Sequence, residues 1–258
     1  MNRRLGLAVV ALVLLTVSAG CLAYVTGGGE VDDEVLDRDP AEPYEWETDR
    51  DAHLSLHTAS EVQAVYRVEE GQTLRLYTST GLGTEGPLDI SAVRFQFENG
   101  TIISGTELRD SDVGDVDQTP DEVFVTAPAD GQLAFSASAT PRRLTMPTYV
   151  QGSYEVVLPE GNRMDFFLFS NTNPGGAETE IIDDRVHVTW DEVTSGSVMV
   201  QYYQERDLYI FGGAVVLLSM IAVGGLYYYR RQIDRLHEVR VQMGLGGDRD
   251  EDDGNDKR

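Results

Sequence analysis

The 258-residue chain has one cysteine, Cys21, and one lysine, Lys257. A lone cysteine excludes an internal disulfide framework, so any folded part must rest on its core and its ionic contacts. The sequence also lacks a phosphate loop, a nucleophile elbow and a paired-histidine zinc helix. Serine, histidine and aspartate are present, but sequence alone cannot join them into a triad. No cofactor is expected and the chain reads as a non-enzyme, with an exterior hydrolase as the residual alternative. Sustained helical periodicity is missing between the two apolar runs, which excludes a helical bundle there.

Acid dominates what is present: 44 Asp and Glu face 20 Lys and Arg, for a net charge of −24. Such a charge disfavours nucleic acid and anionic surfaces as partners. Its self-repulsion is screened in concentrated salt, where the Debye length falls to about 3 Å at 1 M. Acid-rich, lysine-poor composition resembles that of haloarchaeal proteins. A carboxylate here is therefore first a solvating group, and only then a candidate ligand.

Two apolar runs carry no charge, Leu5 to Val25 and Leu208 to Tyr229. Each is long enough for a ~30 Å hydrocarbon core at ~1.5 Å per residue. The second has no polar face and reads as a transmembrane helix, 207–229. Arg230, Arg231, Arg235 and Arg240 follow it. The positive-inside rule then places the C-terminus in the cytoplasm and the large domain outside the cell. Arg3 and Arg4 before the first run agree with that topology. Residues 230–258 read as a juxtamembrane helix followed by a disordered acidic tail.

Residues 1–20 read as a signal peptide or an N-terminal anchor. Ser18-Ala19-Gly20 before Cys21 resembles a lipobox, in which the cysteine becomes the lipidated N-terminus, although Ser18 stands where leucine is usual. An uncleaved helix and ordinary cleavage are the alternatives. Residues 21–51 combine glycine, proline and acids and read as a flexible, solvated tether.

From residue 52 to 206 the pattern has period two. Val93, Phe95 and Phe97 alternate with Arg94, Gln96 and Glu98, and Val186, Val188 and Trp190 share a face. Asn99-Gly100 is a two-residue hairpin signal. About ten short strands predict a mostly β protein, an antiparallel β-sandwich, one large or two small, plus the C-terminal helix. If it divides, the prolines in 138–152 mark the break.

Candidate sites are sparse. His53 and His57 alternate with leucines, which predicts a strand, and strand spacing holds their rings too far apart for one metal ion. His187 shares a face with Arg185 and Thr189 and is expected to be solvated. Asp110, Asp112, Asp115 and Asp117, with Asp121, form a weak calcium candidate, because their spacing fails the EF-hand pattern at Gly114. Asn99-Gly100-Thr101 is a glycosylation sequon. Arg142-Arg143 is the only basic cluster between the runs, and an ion pair among carboxylates is its expected role.

The stretch "GSYEVVLPEGNRMDFFLFS" and the run from "RVHVTWDEV" into "QERDLYIFGG" resemble an uncharacterised haloarchaeal surface-protein family. That family combines a lipobox-like start, an acidic tether, a β domain and one C-terminal span. The resemblance implies location and shape, with no activity or catalytic residues. The expectations are a membrane-anchored surface module that binds or supports envelope proteins, or a single-pass sensor relaying exterior binding to residues 230–243.

Overall fold

The computed structural model of the protein describes residues 31–79 and 84–242. Cys21, the first apolar run and the tail from residue 243 lie outside them.

A short helix, α1 (Asp33–Leu36), precedes strands β1 (Ala52–Thr58), β2 (Glu61–Val68), β3 (Thr73–Ser79), β4 (Glu85–Pro87), β5 (Ile90–Phe97) and β6 (Ile102–Ser104). Helix α2 (Gly105–Arg109) leads to β7 (Asp115–Gln118), β8 (Val123–Thr126), β9 (Gly131–Ser138), β10 (Arg143–Pro147) and β11 (Gly152–Val157). The two-residue β12 (Asn162–Arg163), β13 (Asn171–Asn173), β14 (Glu178–Ile182), β15 (Arg185–Val193), β16 (Ser197–Gln201) and β17 (Tyr203–Gln204) follow, and α3 (Glu205–Gln242) ends the described chain.

Eight strands form one sheet in the order β14-β15-β11-β1-β2-β9-β5-β6. Smaller sheets, β4-β3-β8-β7 and β10-β16-β13, contribute to the same core. All neighbours but one are antiparallel. The exception, β1 beside β11, is parallel. Those strands are separated by residues 59–151, so no hairpin imposes an antiparallel direction.

The alternation read from the sequence sets the burial. Leu54 and Leu56 of β1, Ala64 and Tyr66 of β2, Phe135 of β9, Val156 of β11 and Val188 of β15 are all fully buried on one face. They share a cluster with Leu74 and Leu76 of β3, Leu144 and Met146 of β10, and Val198 and Val200 of β16. Tyr66 stacks on Phe135 at 5.8 Å and its hydroxyl donates to the Met146 sulfur at 3.3 Å. The core thus crosses residues 138–152 without a break. Pro147 is tolerated because β10 is an edge strand.

Two local expectations change. The hairpin between β5 and β6 is not a two-residue Asn99-Gly100 turn. The Gly100 N–H closes on the Phe97 carbonyl at 2.8 Å, which centres the turn on Glu98-Asn99. Gly100 then takes the left-handed position, φ 83°, that completes a bulge. The two-residue turn occurs instead at Asp183-Asp184, φ 49° and 64°, where Ile182 pairs with Arg185.

The larger change concerns residues 31–51, read as tether. Val31, Leu36 and Tyr44 are buried. Asp32 caps α1, accepting from the Glu34 N–H at 3.1 Å, and Arg109 donates to Asp33 at 2.6 Å. Leu36 packs so closely on α2 that a Cβ at Gly105 would lie 2.9 Å from the Val93 Cβ and 3.0 Å from that of Leu36. Nine acids from Asp32 to Asp49 suggested solvation, but five apolar side chains, Val31, Val35, Leu36, Tyr44 and Trp46, decide the outcome by packing on the domain.

Within α3 the segment Glu205–Ile233 is 29 residues long, and its most apolar 18 residues have a mean hydropathy of 2.1. At ~1.5 Å per residue the whole segment is about 43 Å, more than the ~30 Å of a bilayer core. The helix continues past the apolar end, through the arginines, to Gln242.

Candidate functional site

The second face of the large sheet is polar. Period two turns His53, Ser55 and His57 of β1 away from Leu54 and Leu56, and register places Glu155 of β11 beside His53. On β15, Arg185 and His187 point to the same face, with His187 opposite Val157. Residues 42–50 run over this face as a strap. Gln63 Nε2 donates to the Glu42 carbonyl at 2.7 Å, and the Tyr44 hydroxyl donates to the Ala92 carbonyl at 2.6 Å. Ala92 sits in a bulge of β5 at φ 54°, a left-handed conformation rare for alanine. Tyr44 packs with Val65, Ala92, Ala134 and Trp46 in a small second cluster.

The strap's Glu45 completes a chain of charges. His53 Nδ1 lies 3.0 Å from Glu155 Oε2, and His53 Nε2 lies 3.2 Å from Glu45 Oε2, an ion-pair distance poorly aligned for a hydrogen bond. Glu155 Oε1 takes His187 Nδ1 at 2.8 Å. Arg185 reaches Glu45 at 3.4 Å and Ser55 Oγ at 2.9 Å, and Ser55 Oγ lies 3.3 Å from His57 Nε2. Three of the four histidines in the chain are therefore gathered in one network.

His53 is 3% exposed. Burial alone would push its imidazole down, but the flanking Glu155 and Glu45 outweigh it and raise the group to about 9. The close contact with His53 holds Glu45 at about 2 against the opposing effect of burial, and the hydrogen bond with His53 does the same for Glu155, with His187 adding to the effect there. The arrangement is thus a protonated histidine clamped between two ionised carboxylates. Opposite charges offset each other within the cluster.

The structure redistributes the sequence candidates. His53 and His57 lie on a strand, as read, and join a network of carboxylates. His187, expected to be solvated, is instead bonded to Glu155, because β11 projects that carboxylate from the adjoining strand. Asp110 ends α2, Asp112 follows in a bend, and Asp115 and Asp117 project from β7 with exposed side chains. Among the described residues no three His, Cys, Asp or Glu side chains gather in a metal-binding arrangement. Asn99 is exposed at the tip of the β5–β6 hairpin. Arg142 lies in a turn at φ 65°, with its carbonyl accepting from the Tyr202 N–H at 3.0 Å.

Glu45, Glu155 and Arg185 were not singled out in the sequence. The signal was available in "HLSLH", since three polar residues on one strand face need cover or partners, and in the aromatic pair of "PYEW". Residues 81–86, "GLGTEG", have the glycine spacing of a dinucleotide loop, but strand β4 begins within them at Glu85, where such a loop requires a helix.

A model of a family of unknown function, DUF5803, matches residues 48–248. That span takes in the whole β domain and α3 and leaves Glu45 outside. No curated protein and no solved structure matches the chain.

Proposed function

The chain belongs to the DUF5803 family of unknown function, and we propose from its own architecture that it is a non-catalytic, membrane-anchored surface module that binds or supports other envelope components. The carrying observation is α3, which begins at Glu205 directly after β17 and presents an apolar segment long enough to cross a bilayer. Arginines on its C-terminal side support a cytoplasmic end and an exterior β domain. The acid excess supports work in concentrated salt, and the lipobox-like Ser18-Ala19-Gly20-Cys21 supports a lipid as a second hold. The mutually neutralised His53 network supports a structural role over a catalytic one.

Protease treatment of intact cells tests the orientation. The reading expects the β domain to be digested while an epitope at the C-terminus is protected, and the reverse pattern rejects it. Intact-mass analysis of the mature chain tests Cys21, since an N-terminus at Met1 rejects lipidation. A cross-linked pull-down from salt-grown membranes then identifies the envelope partners.

One observation favours a sensor as the second reading. Helix α3 runs unbroken from Glu205 through Gln242, which would couple the exterior domain to the segment after the span. Deleting residues 234–258 should abolish a signalling phenotype and leave a purely structural one intact.

A further inference from the structure

Between β12 and β13 the chain forms a tight loop, Met164-Asp165-Phe166-Phe167-Leu168-Phe169-Ser170. Phe167 and Leu168 at its tip are 79% and 57% exposed. The loop is well braced. Ser170 Oγ donates to the Met164 carbonyl at 2.6 Å and to the Phe166 carbonyl at 3.0 Å, while the Phe169 and Ser170 N–H groups both donate to Phe166 at 3.0 and 3.1 Å. A row of rings supports it, with Phe167 to Phe166 at 5.6 Å, Phe166 to Phe169 at 5.4 Å and Phe169 to Tyr203 at 5.9 Å. The buried Tyr203 hydroxyl donates to Asp165 at the loop's start. Apolar side chains are thus held outward by a scaffold, where collapse onto the core would have been the cheaper solution.

The position of the loop in the chain says what covers it. Its base, Arg163, pairs with Tyr203; helix α3 begins two residues later at Glu205, and its apolar run begins one helical turn further on at Leu208. Two residues of chain reach at most about 7 Å. With ~1.5 Å of rise for each of the three helical residues before Leu208, the base of the loop is tied by the chain to within about 12 Å of the start of the apolar run. Aromatic residues concentrate at that depth, where a ring is half solvated and half in hydrocarbon. A protein partner needs a contact of roughly 1,200 Å² or more, far beyond two side chains at a loop tip. We propose that Phe167 and Leu168 insert into the membrane–water interface, giving the β domain a contact with lipid in addition to the span. This inference rests on the reading of α3 as a span.

The test uses full-length protein in vesicles of phosphatidylcholine and phosphatidylglycerol, with spin-labelled lipids as quenchers. Three single variants are compared with the wild type, whose own tryptophans give the background: Phe167→Trp, Leu217→Trp in mid-span, and Ile181→Trp on β14. Leu168→Trp repeats the loop measurement should Phe167→Trp fail to fold. The expected result is a blue shift and loss of emission for the loop tryptophan with label near the headgroups. Leu217→Trp should be quenched by label near the chain ends, and Ile181→Trp by neither. Quenching of Leu217→Trp without quenching of the loop overturns the insertion while leaving the span intact. An unquenched Leu217→Trp overturns the span and the insertion with it, and equal quenching of Ile181→Trp overturns the loop's specific role.

Discussion

The two faces of the eight-stranded sheet are made by the same strands and are covered by different chemistry. On one face Leu54, Tyr66, Phe135 and Val188 meet the smaller sheets and exclude water by area. On the other, Ser55, Gln63 and Ser136, all nearly as buried, meet a strap of about ten residues through directed bonds, and the equally buried His53 lies at ion-pair distance from the strap's Glu45. The first face tolerates changes of partner provided volume is kept. The second fixes one registration of the strap, because each buried polar group needs its own partner. The difference teaches that an acid-rich segment can be part of a fold when a few apolar residues and one buried cation hold it.

The largest effect should come from the apolar face. Phe135→Ala removes a fully buried ring stacked on Tyr66, and should lower unfolding stability by about 3–5 kcal/mol. Denaturant unfolding at fixed high salt measures it. A loss below about 1 kcal/mol would mean that this face is not the main source of stability.

Removing the buried cation tests the other face. His53→Ala leaves Glu45 and Glu155 facing each other without the group between them, and about 1–3 kcal/mol should be lost. Its discriminating signature is pH. His53 is raised from 6.5 to about 9, so the folded protein holds a proton that the unfolded chain releases earlier. The stability this provides is complete below pH 6.5 and is lost as pH rises through about 9. Glu45 and Glu155 are lowered from 4.5 to about 2, so their contribution is complete above about pH 4.5 and fades as pH falls toward 2. Melting temperature at constant salt should therefore peak between pH 5 and 6.5. In His53→Gln the decline between pH 6.5 and 9 should flatten while that of the wild type persists. Equal alkaline slopes in the two proteins would remove His53 from the account.

Legibility differed between the faces for a physical reason. Apolar alternation is local, so "TLRLYTS" and "RVHVTW" revealed their buried sides before any partner was known, and α3 was plain from composition. What covers the polar face is a non-local fact. Nothing near His53 in sequence names Glu155, 102 residues away, or shows that β1 and β11 run parallel. The strap was misread because charge count is a weak guide when a few residues such as Leu36 and Tyr44 bury completely or nearly so. His187 was misread for the same reason, its partner lying on the adjoining strand.

The smallest effect is the sharpest probe of the strap itself. Tyr44 has its hydroxyl 2.6 Å from the Ala92 carbonyl and 3.3 Å from Ser136 Oγ, and burial raises that hydroxyl to about 12, so it is a donor at neutral pH. Tyr44→Phe keeps the ring in its cluster and deletes only the donor. The Ala92 carbonyl belongs to a bulge held in a left-handed conformation, and losing its partner should cost about 0.5–1.5 kcal/mol. Because the strap is a peripheral layer, the change should be felt locally before it is felt globally. Amide exchange should accelerate in residues 42–50 and in β5 around Ala92, while β1 and β9 keep their protection. Acceleration spread evenly over the sheet would mean that strap and core open together, and the two faces would then be one cooperative unit.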